Sequence, residues 1–130
     1  MEQLKILIAD DDKSIRALYD KALAEGEFEK RFATDGNEAL DVYAIWKPDI
    51  LLLDVYMPVM TGYSVLKKIR VEFEDRRTAV IMSTNVSDQE HIKDFVLLGI
   101  QGYIIKPFNF KEVGVRVMQY YMNFIRERAG

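Results

Sequence analysis

The sequence predicts an α/β domain: five parallel strands in one doubly wound sheet, with helices packed on both faces. Three observations predict it. Apolar, β-branched runs and helix-periodic segments alternate strictly along the chain. The connections are short, and right-handed crossovers between parallel strands carry helices to both faces. The run Ile50-Leu51-Leu52-Leu53 is unbroken apolar sequence between Pro48-Asp49 and Asp54, which is how a strand buried on both faces reads.

The first strand is Leu4–Ala9, ending in Asp10-Asp11-Asp12. Ile15, Leu18, Ala22 and Leu23 recur at helical spacing and predict a first helix over about 13–25, stopped by Gly26. Asp12 is its N-cap or first-turn acid. Phe28–Ala33, interleaved with Glu29, Lys30 and Arg31, suits a strand nearer a sheet edge. Thr34-Asp35-Gly36 is a turn and cap. Ala39, Leu40, Val42, Tyr43 and Trp46 make a second amphipathic helix, closed by Lys47-Pro48. The third strand is Ile50–Asp54. After the Met57-Pro58 turn, Thr61-Gly62 precedes a helix with Val65, Leu66 and Ile69 inside, and 72–77 reads as a charged, solvated connection. Residues 78–83 are strand four, followed by Thr84-Asn85. Ser87 or Asp88 caps a fourth helix that runs to about Leu98 and ends at Gly99. Gly102–Lys106 is strand five, broken by Pro107. A last helix over about 109–126 buries Val113, Val117, Tyr120, Tyr121 and Phe124.

With 130 residues the chain suits one domain with one sizeable core, spanning 1–130. A net charge of −3 and no local basic patch exclude a nucleic-acid surface. No cysteine is present, so disulfides, thiolate metal sites and cysteine nucleophiles are excluded. No window approaches the roughly 20 apolar residues of a membrane span, and residues 1–5 lack the apolar core of a signal peptide. A cytoplasmic location with no membrane partner is expected. His91, the lone histidine, is expected on the surface of the fourth helix.

In a parallel sheet of this kind the site lies beyond the carboxyl ends of the strands. Strand one delivers Asp10, Asp11 and Asp12 there; strand three delivers Asp54; strand four delivers Ser83 and Thr84; strand five delivers Lys106. Carboxylates gathered this way repel: two unit charges about 4 Å apart cost roughly 4 kcal/mol at an effective dielectric near 20. Such a cluster binds protons or a cation. With no His or Cys beside it, a hard, oxygen-seeking ion fits, Mg²⁺ or Mn²⁺. Lys106 adds a point positive charge for a phosphoryl oxygen, and Thr84 a hydroxyl donor. A carboxylate nucleophile in that company is a phosphoryl-accepting site. Ser83 reads as a strand residue rather than a site residue.

Asp10-Asp11 after strand one, Asp54 with Met57-Pro58 and Gly62 after strand three, Thr84 after strand four and Lys106-Pro107 after strand five resemble the receiver domain of bacterial two-component response regulators. The resemblance covers nearly the whole chain. It implies a flavodoxin-like fold with strand order 2-1-3-4-5. It implies that Asp54 is the phosphoacceptor, taking a phosphoryl group from a sensor histidine kinase or a histidine phosphotransfer protein. Asp11 and Asp54 would hold Mg²⁺ with their side chains, Tyr56 with its backbone carbonyl, and Asp10 through water. Thr84 and Lys106 would bind the phosphoryl oxygens. Tyr103 matches the aromatic whose rotamer accompanies Thr84 moving toward the phosphate. The Lys106–Pro107 peptide bond would be cis. Output would pass through the helix 4–strand 5–helix 5 surface to a downstream protein target, a separate output domain or a second copy in a homodimer. The chain would not be an enzyme beyond assisting its own phosphorylation and slow dephosphorylation.

Some positions depart from the commoner receiver pattern. Thr61 stands where an acid or Asn often precedes the glycine, and Asn85 stands where Ala or Gly is usual, narrowing access to Asp54. Tyr56 and Val86 are bulky, flank the entrance and offer no base, so slow self-dephosphorylation is expected. Two rival classes stay open. One is a receiver-like module that binds partners without phosphorylation. The other is an aspartate-nucleophile phosphatase, disfavoured because Tyr56 stands where that chemistry wants a second acid. No output domain follows the last helix, which suggests a stand-alone phosphorelay shuttle or binding effector; in a longer protein, a DNA-binding or enzymatic output domain would follow.

Overall fold

The computed structural model describes residues 2–85 and 90–129. Five strands form one parallel sheet in the order β2-β1-β3-β4-β5: β1 (Leu4–Ala9), β2 (Phe28–Ala33), β3 (Ile50–Asp54), β4 (Ala79–Asn85) and β5 (Gly102–Lys106). The connecting helices are α1 (Lys13–Ala22), α2 (Gly36–Trp46), α3 (Gly62–Lys67), α4 (Ile92–Leu98) and α5 (Phe110–Ala129). The fold class and the strand order are those expected.

Strand alternation splits the core into two layers. Leu7, Leu51, Leu53, Val80 and Met82 face one way, with Val65, Leu66 and Phe95 of α3 and α4. Ile6, Ile8, Leu52, Ile81 and Ile104 face the other, with Tyr19 and Leu23 from the α1 side and Val113 and Val117 of α5. Every residue of β3 is buried, as its unbroken apolar run requires of a central strand covered on both faces.

Several local expectations change. The buried face of α1 is carried by Tyr19, fully enclosed, while Leu18 is 41% exposed. The helix ends at Ala22, with the Leu23 N–H bonded to Tyr19 O, so Gly26 lies beyond its end. β4 continues through Thr84 and Asn85, which pair with Ile105 and Lys106. α5 runs past Arg126 to Ala129. The proposed caps Ser87 and Asp88, and Val86, fall outside the described residues.

Residues 72–77 are the charged connection expected: all are exposed except Asp75, which is half-buried. What the sequence did not show is the end of the helix before them. Here α3 runs on into a π-helical turn, Lys68–Glu72. It carries Arg70 inward to near-complete burial. The Arg70 guanidinium donates to Asp75 O, Gly99 O and Gln101 Oε1. Asp75 in turn accepts from the Tyr43 and Thr78 hydroxyls and from the Arg77 and Thr78 amides. The exposed connection is therefore anchored at its base by a buried arginine, whose inward turn the sequence did not show.

Candidate functional site

The site is set by sheet register. Asp54 ends β3 and pairs with Ser83 of β4, while Asp10 follows Ala9, the partner of Leu53. Asp10, Asp54 and Ser83 therefore lie side by side on the face that carries α1 and α5. Asp12 begins α1 as its N-cap, accepting from the Ser14 and Ile15 amides. It is structural, as its position suggested.

Behind Asp54 the chain returns on itself. The Gly62 N–H bonds to Val55 O. A Cβ at position 62 would lie 2.1 Å from Asp54 O, so only glycine permits the approach. Val59 sits at φ 72°, inside a tight turn closed by Met60 N–H to Pro58 O. For a β-branched residue that backbone is strained, a cost found mostly where a loop's shape is needed.

One oxygen from each of Asp10, Asp11 and Asp54 lies within 4.8 Å of the others. Asp10 is 1% exposed and Asp54 8%. Lys106 Nζ donates to Asp10 Oδ2 at 2.8 Å and to Asp54 Oδ1 at 3.1 Å. The second Asp10 oxygen accepts from the Asp12 amide, and Arg16 grips the Asp10 carbonyl at 2.7 Å. Sequence reasoning passed over Arg16, whose position on α1 carries no motif. The Lys106–Pro107 bond is cis. Above the acids is an open cleft of about 450 Å³, with Asp11, Asn85 and Pro107 on its walls.

Burial and the neighbouring Asp10 charge raise the Asp54 pKa to about 6; Lys106 opposes them and Asp11 adds to them. Burial alone would lower the Lys106 pKa, but the Asp10 hydrogen bond and the two carboxylate charges raise it net. The ammonium stays charged and is shared. Three carboxylates against one ammonium leave an all-oxygen site short of positive charge, which suits a hard divalent cation.

Thr84 is buried, and its Oγ1 has no hydrogen-bond partner among the described residues. It alternates to the sheet face opposite Asp54 and Ser83, and no hydrogen bond joins it to the acid cluster. Tyr103 is half-buried against the α3–α4 side of the core, next to Met82 of β4. Its carbonyl accepts from the Tyr120 hydroxyl and from Arg116. Tyr56, 55% exposed, borders a groove with Tyr63 and Phe95. His91 is exposed. Tyr19 was also missed: its hydroxyl meets Ser83 Oγ at 2.7 Å under the acids. Burial pushes its phenol up, the Ser83 bond pulls it down, and the charges of Asp10 and Asp54 push it up further.

An acid cluster bridged by a half-buried lysine, at the carboxyl edge of a 2-1-3-4-5 sheet, defines a CheY-like α/β domain. The response regulator receiver domain model matches residues 6–118. The chain belongs to the response regulator receiver family. It is 35% identical over 117 residues to a probable transcriptional regulator ycf27 of Porphyridium aerugineum, covering 90% of this chain and 48% of that protein. It is 34% identical over 116 residues to the sporulation initiation phosphotransferase F of Bacillus subtilis, covering 89% and 92%. Among solved structures, the chemotaxis response regulator CheY4 of Vibrio cholerae matches with a TM-score of 0.82 at 32% identity, covering 92% of this chain and 99% of that one. The chain spans about half the length of the first curated relatives it matches. No helix among the described residues is long and apolar enough to cross a membrane.

Proposed function

We propose that residues 1–130 act as a cytoplasmic phosphoacceptor domain in which Asp54 takes a phosphoryl group from a phosphohistidine. The donor is a sensor histidine kinase or a histidine phosphotransfer protein. An Asp54 carboxylate oxygen attacks phosphorus, the new O–P bond forms as the N–P bond breaks, and the imidazole nitrogen leaves with the electron pair. The observation that carries this reading is the Lys106 ammonium bridging Asp10 and Asp54 at the floor of an open acid cleft.

Mg²⁺, or Mn²⁺ in its place, supplies charge that neutralises the phosphoryl oxygens when bound. The Asp11 and Asp54 side chains and the Tyr56 carbonyl would hold it, with Asp10 reaching it through water. Lys106 steadies a phosphoryl oxygen as Asp54 gives up its share of the ammonium. The unpartnered Thr84 hydroxyl is the donor available for a second phosphoryl oxygen, and its movement would leave room for Tyr103 to turn inward. That movement is the switch, and it changes the α4–β5–α5 surface for a downstream protein target, an output domain or a second copy of the chain. Tyr56 is bulky and offers no base, so attacking water is restricted and the phosphoryl group is lost slowly; a half-life of seconds would overturn that part.

The test is incubation with acetyl phosphate and Mg²⁺, followed by intact mass. The expected result is one added phosphoryl group in the parent chain and none in Asp54→Ala. Label that survives Asp54→Ala, or no label in the parent, overturns the reading and leaves a module that binds without phosphorylation.

A further inference from the structure

We infer that Tyr19 is a positioning residue for phosphoryl transfer, acting through Ser83 and Phe108; the inference rests on the receiver reading above. Tyr19 is fully buried on α1. Its hydroxyl lies 2.7 Å from Ser83 Oγ, and its ring stacks on Phe108 with centroids 4.6 Å apart and planes 15° from parallel. Each contact borders a site residue. Ser83 is the register partner of Asp54 and immediately precedes Thr84 in the chain. Phe108 lies two residues beyond Lys106, in the turn that follows β5. One rigid side chain thus ties the strand end bearing Thr84 to the turn that follows the ammonium, on the sheet face where Asp10 and Asp54 stand.

The polarity of the pair makes the case for a positioning role. Two apolar side chains would fill this space without buried hydroxyls that each need a partner. A hydroxyl pair adds direction: it fixes the end of β4 at one height and rotation relative to α1. Ring stacking adds a second constraint, on the turn after Lys106. Transfer of a phosphoryl group depends on placement, and displacement of a group by an ångström or less is felt in the rate. Tyr19 touches no reacting atom; it holds the residues that do.

The contributions separate by substitution. Tyr19→Phe keeps the ring and its stack and removes the hydroxyl. Ser83→Ala removes the same bond from the other side, and the double variant removes both groups. Leu23→Ala is the control, a fully buried residue of the same core layer that touches neither Ser83 nor Phe108 through a polar or ring contact. Phosphorylation by acetyl phosphate is followed at saturating donor and Mg²⁺, with the half-saturating donor concentration, calorimetric Mg²⁺ affinity and melting temperature measured on each chain. Tyr19→Phe and Ser83→Ala are each expected to slow the maximal rate by about fivefold to tenfold, with donor and Mg²⁺ constants within about twofold of the parent. The double variant is expected to be no slower than the slower single, because both singles break one bond. Leu23→Ala loses at least as much thermal stability and keeps the parental rate. A Tyr19→Phe rate within about twofold of the parent, on a parent labelled at Asp54, overturns the inference alone; so does an equal slowing in Leu23→Ala. If Tyr19→Phe does not fold, Ser83→Ala decides by the same criterion. A parent that takes no phosphoryl group overturns both the receiver reading and the inference.

Discussion

Asp54 is ionised at a cost to the fold. Its carboxylate is buried beside Asp10, and Lys106 neutralises it only in part, so its pKa stands near 6 in the folded chain against 3.8 for the free group. The folded state holds this proton more tightly than the unfolded state. Stability associated with Asp54 is therefore greatest at low pH and falls as pH rises through the window from about 4 to about 6. Above that window the ionised group is a fixed penalty. Asp54→Asn removes the charge and the penalty with it. In urea denaturation without divalent cation at pH 7.5, it is expected to be about 1–2 kcal/mol more stable than the parent, a figure reduced because the open cleft screens the group. The gain should vanish at about pH 4, where the parent carboxyl is already protonated. A gain that persists unchanged at that pH would mean the Asn acts through packing. The acid, the lysine and the acceptor were legible as residues, because each ends a strand in a motif at a fixed spacing. Tyr19 was not legible: in a helix pattern an aromatic reads as core, and only the register of β4 shows that its hydroxyl arrives at Ser83, next to Asp54.

At the scale of elements, the joint around Arg70 decides how α4 is anchored. The π-helical turn that follows α3 turns Arg70 inward, and its guanidinium holds Gly99 O at the end of α4, Gln101 before β5 and Asp75 O before β4. Gly99 meets it at φ 105°, a backbone that a side chain would resist. Gln101 Oε1 also accepts from the Val80 amide, so the joint reaches into the sheet. Arg70→Met keeps much of the side-chain length and strands three acceptors. It is expected to lower stability by about 2–4 kcal/mol in urea denaturation. A loss below about 0.5 kcal/mol would show that water replaces the guanidinium without penalty. Asp75 adds a pH signature. Burial alone would raise its pKa, but the Tyr43 and Thr78 hydroxyls and the Arg77 and Thr78 amides hold it below the ordinary value. Its contribution is present above about pH 4 and is lost as pH falls further. Strands β1, β3 and β5 could be read to the residue from apolar runs that stop at charges or turns. The charged connection 72–77 was legible as well, but the inward turn of Arg70 was not, since only the widening of the helix over 68–72 carries that charge into the core. Helix ends were off by a few residues where, as at Leu23, a backbone bond and not a glycine closes the helix.

Across the whole molecule, both edges of the sheet carry acids, and they differ in how far those acids are satisfied. At the amino edge Asp49 accepts the Lys5 amide, and Asp75 is ringed by the donors already named. At the carboxyl edge Asp10 and Asp54 share one ammonium, and Asp11 stands beside them with no contact to it. The alternation of strands and helices made the layered sheet legible from sequence, and parallel strands required the chemistry to gather at one edge; the order 2-1-3-4-5 came only with the family resemblance, because nothing local fixes which strand lies beside which. The imbalance between the edges predicts where cation binding couples to stability. A ligand that binds only the folded chain stabilises it by about 2.7 kcal/mol at a hundred times its dissociation constant. Mg²⁺ titrated into the parent should therefore raise the thermal midpoint progressively. Asp11→Asn removes one acid while leaving both Lys106 contacts, so it should fold well and lose most of the Mg²⁺-dependent rise. Asp75→Asn should melt earlier than the parent without Mg²⁺ and still show the full rise when Mg²⁺ is added. If Asp11→Asn kept the parental rise, or Asp75→Asn lost it, the cation would be bound somewhere other than the carboxyl edge.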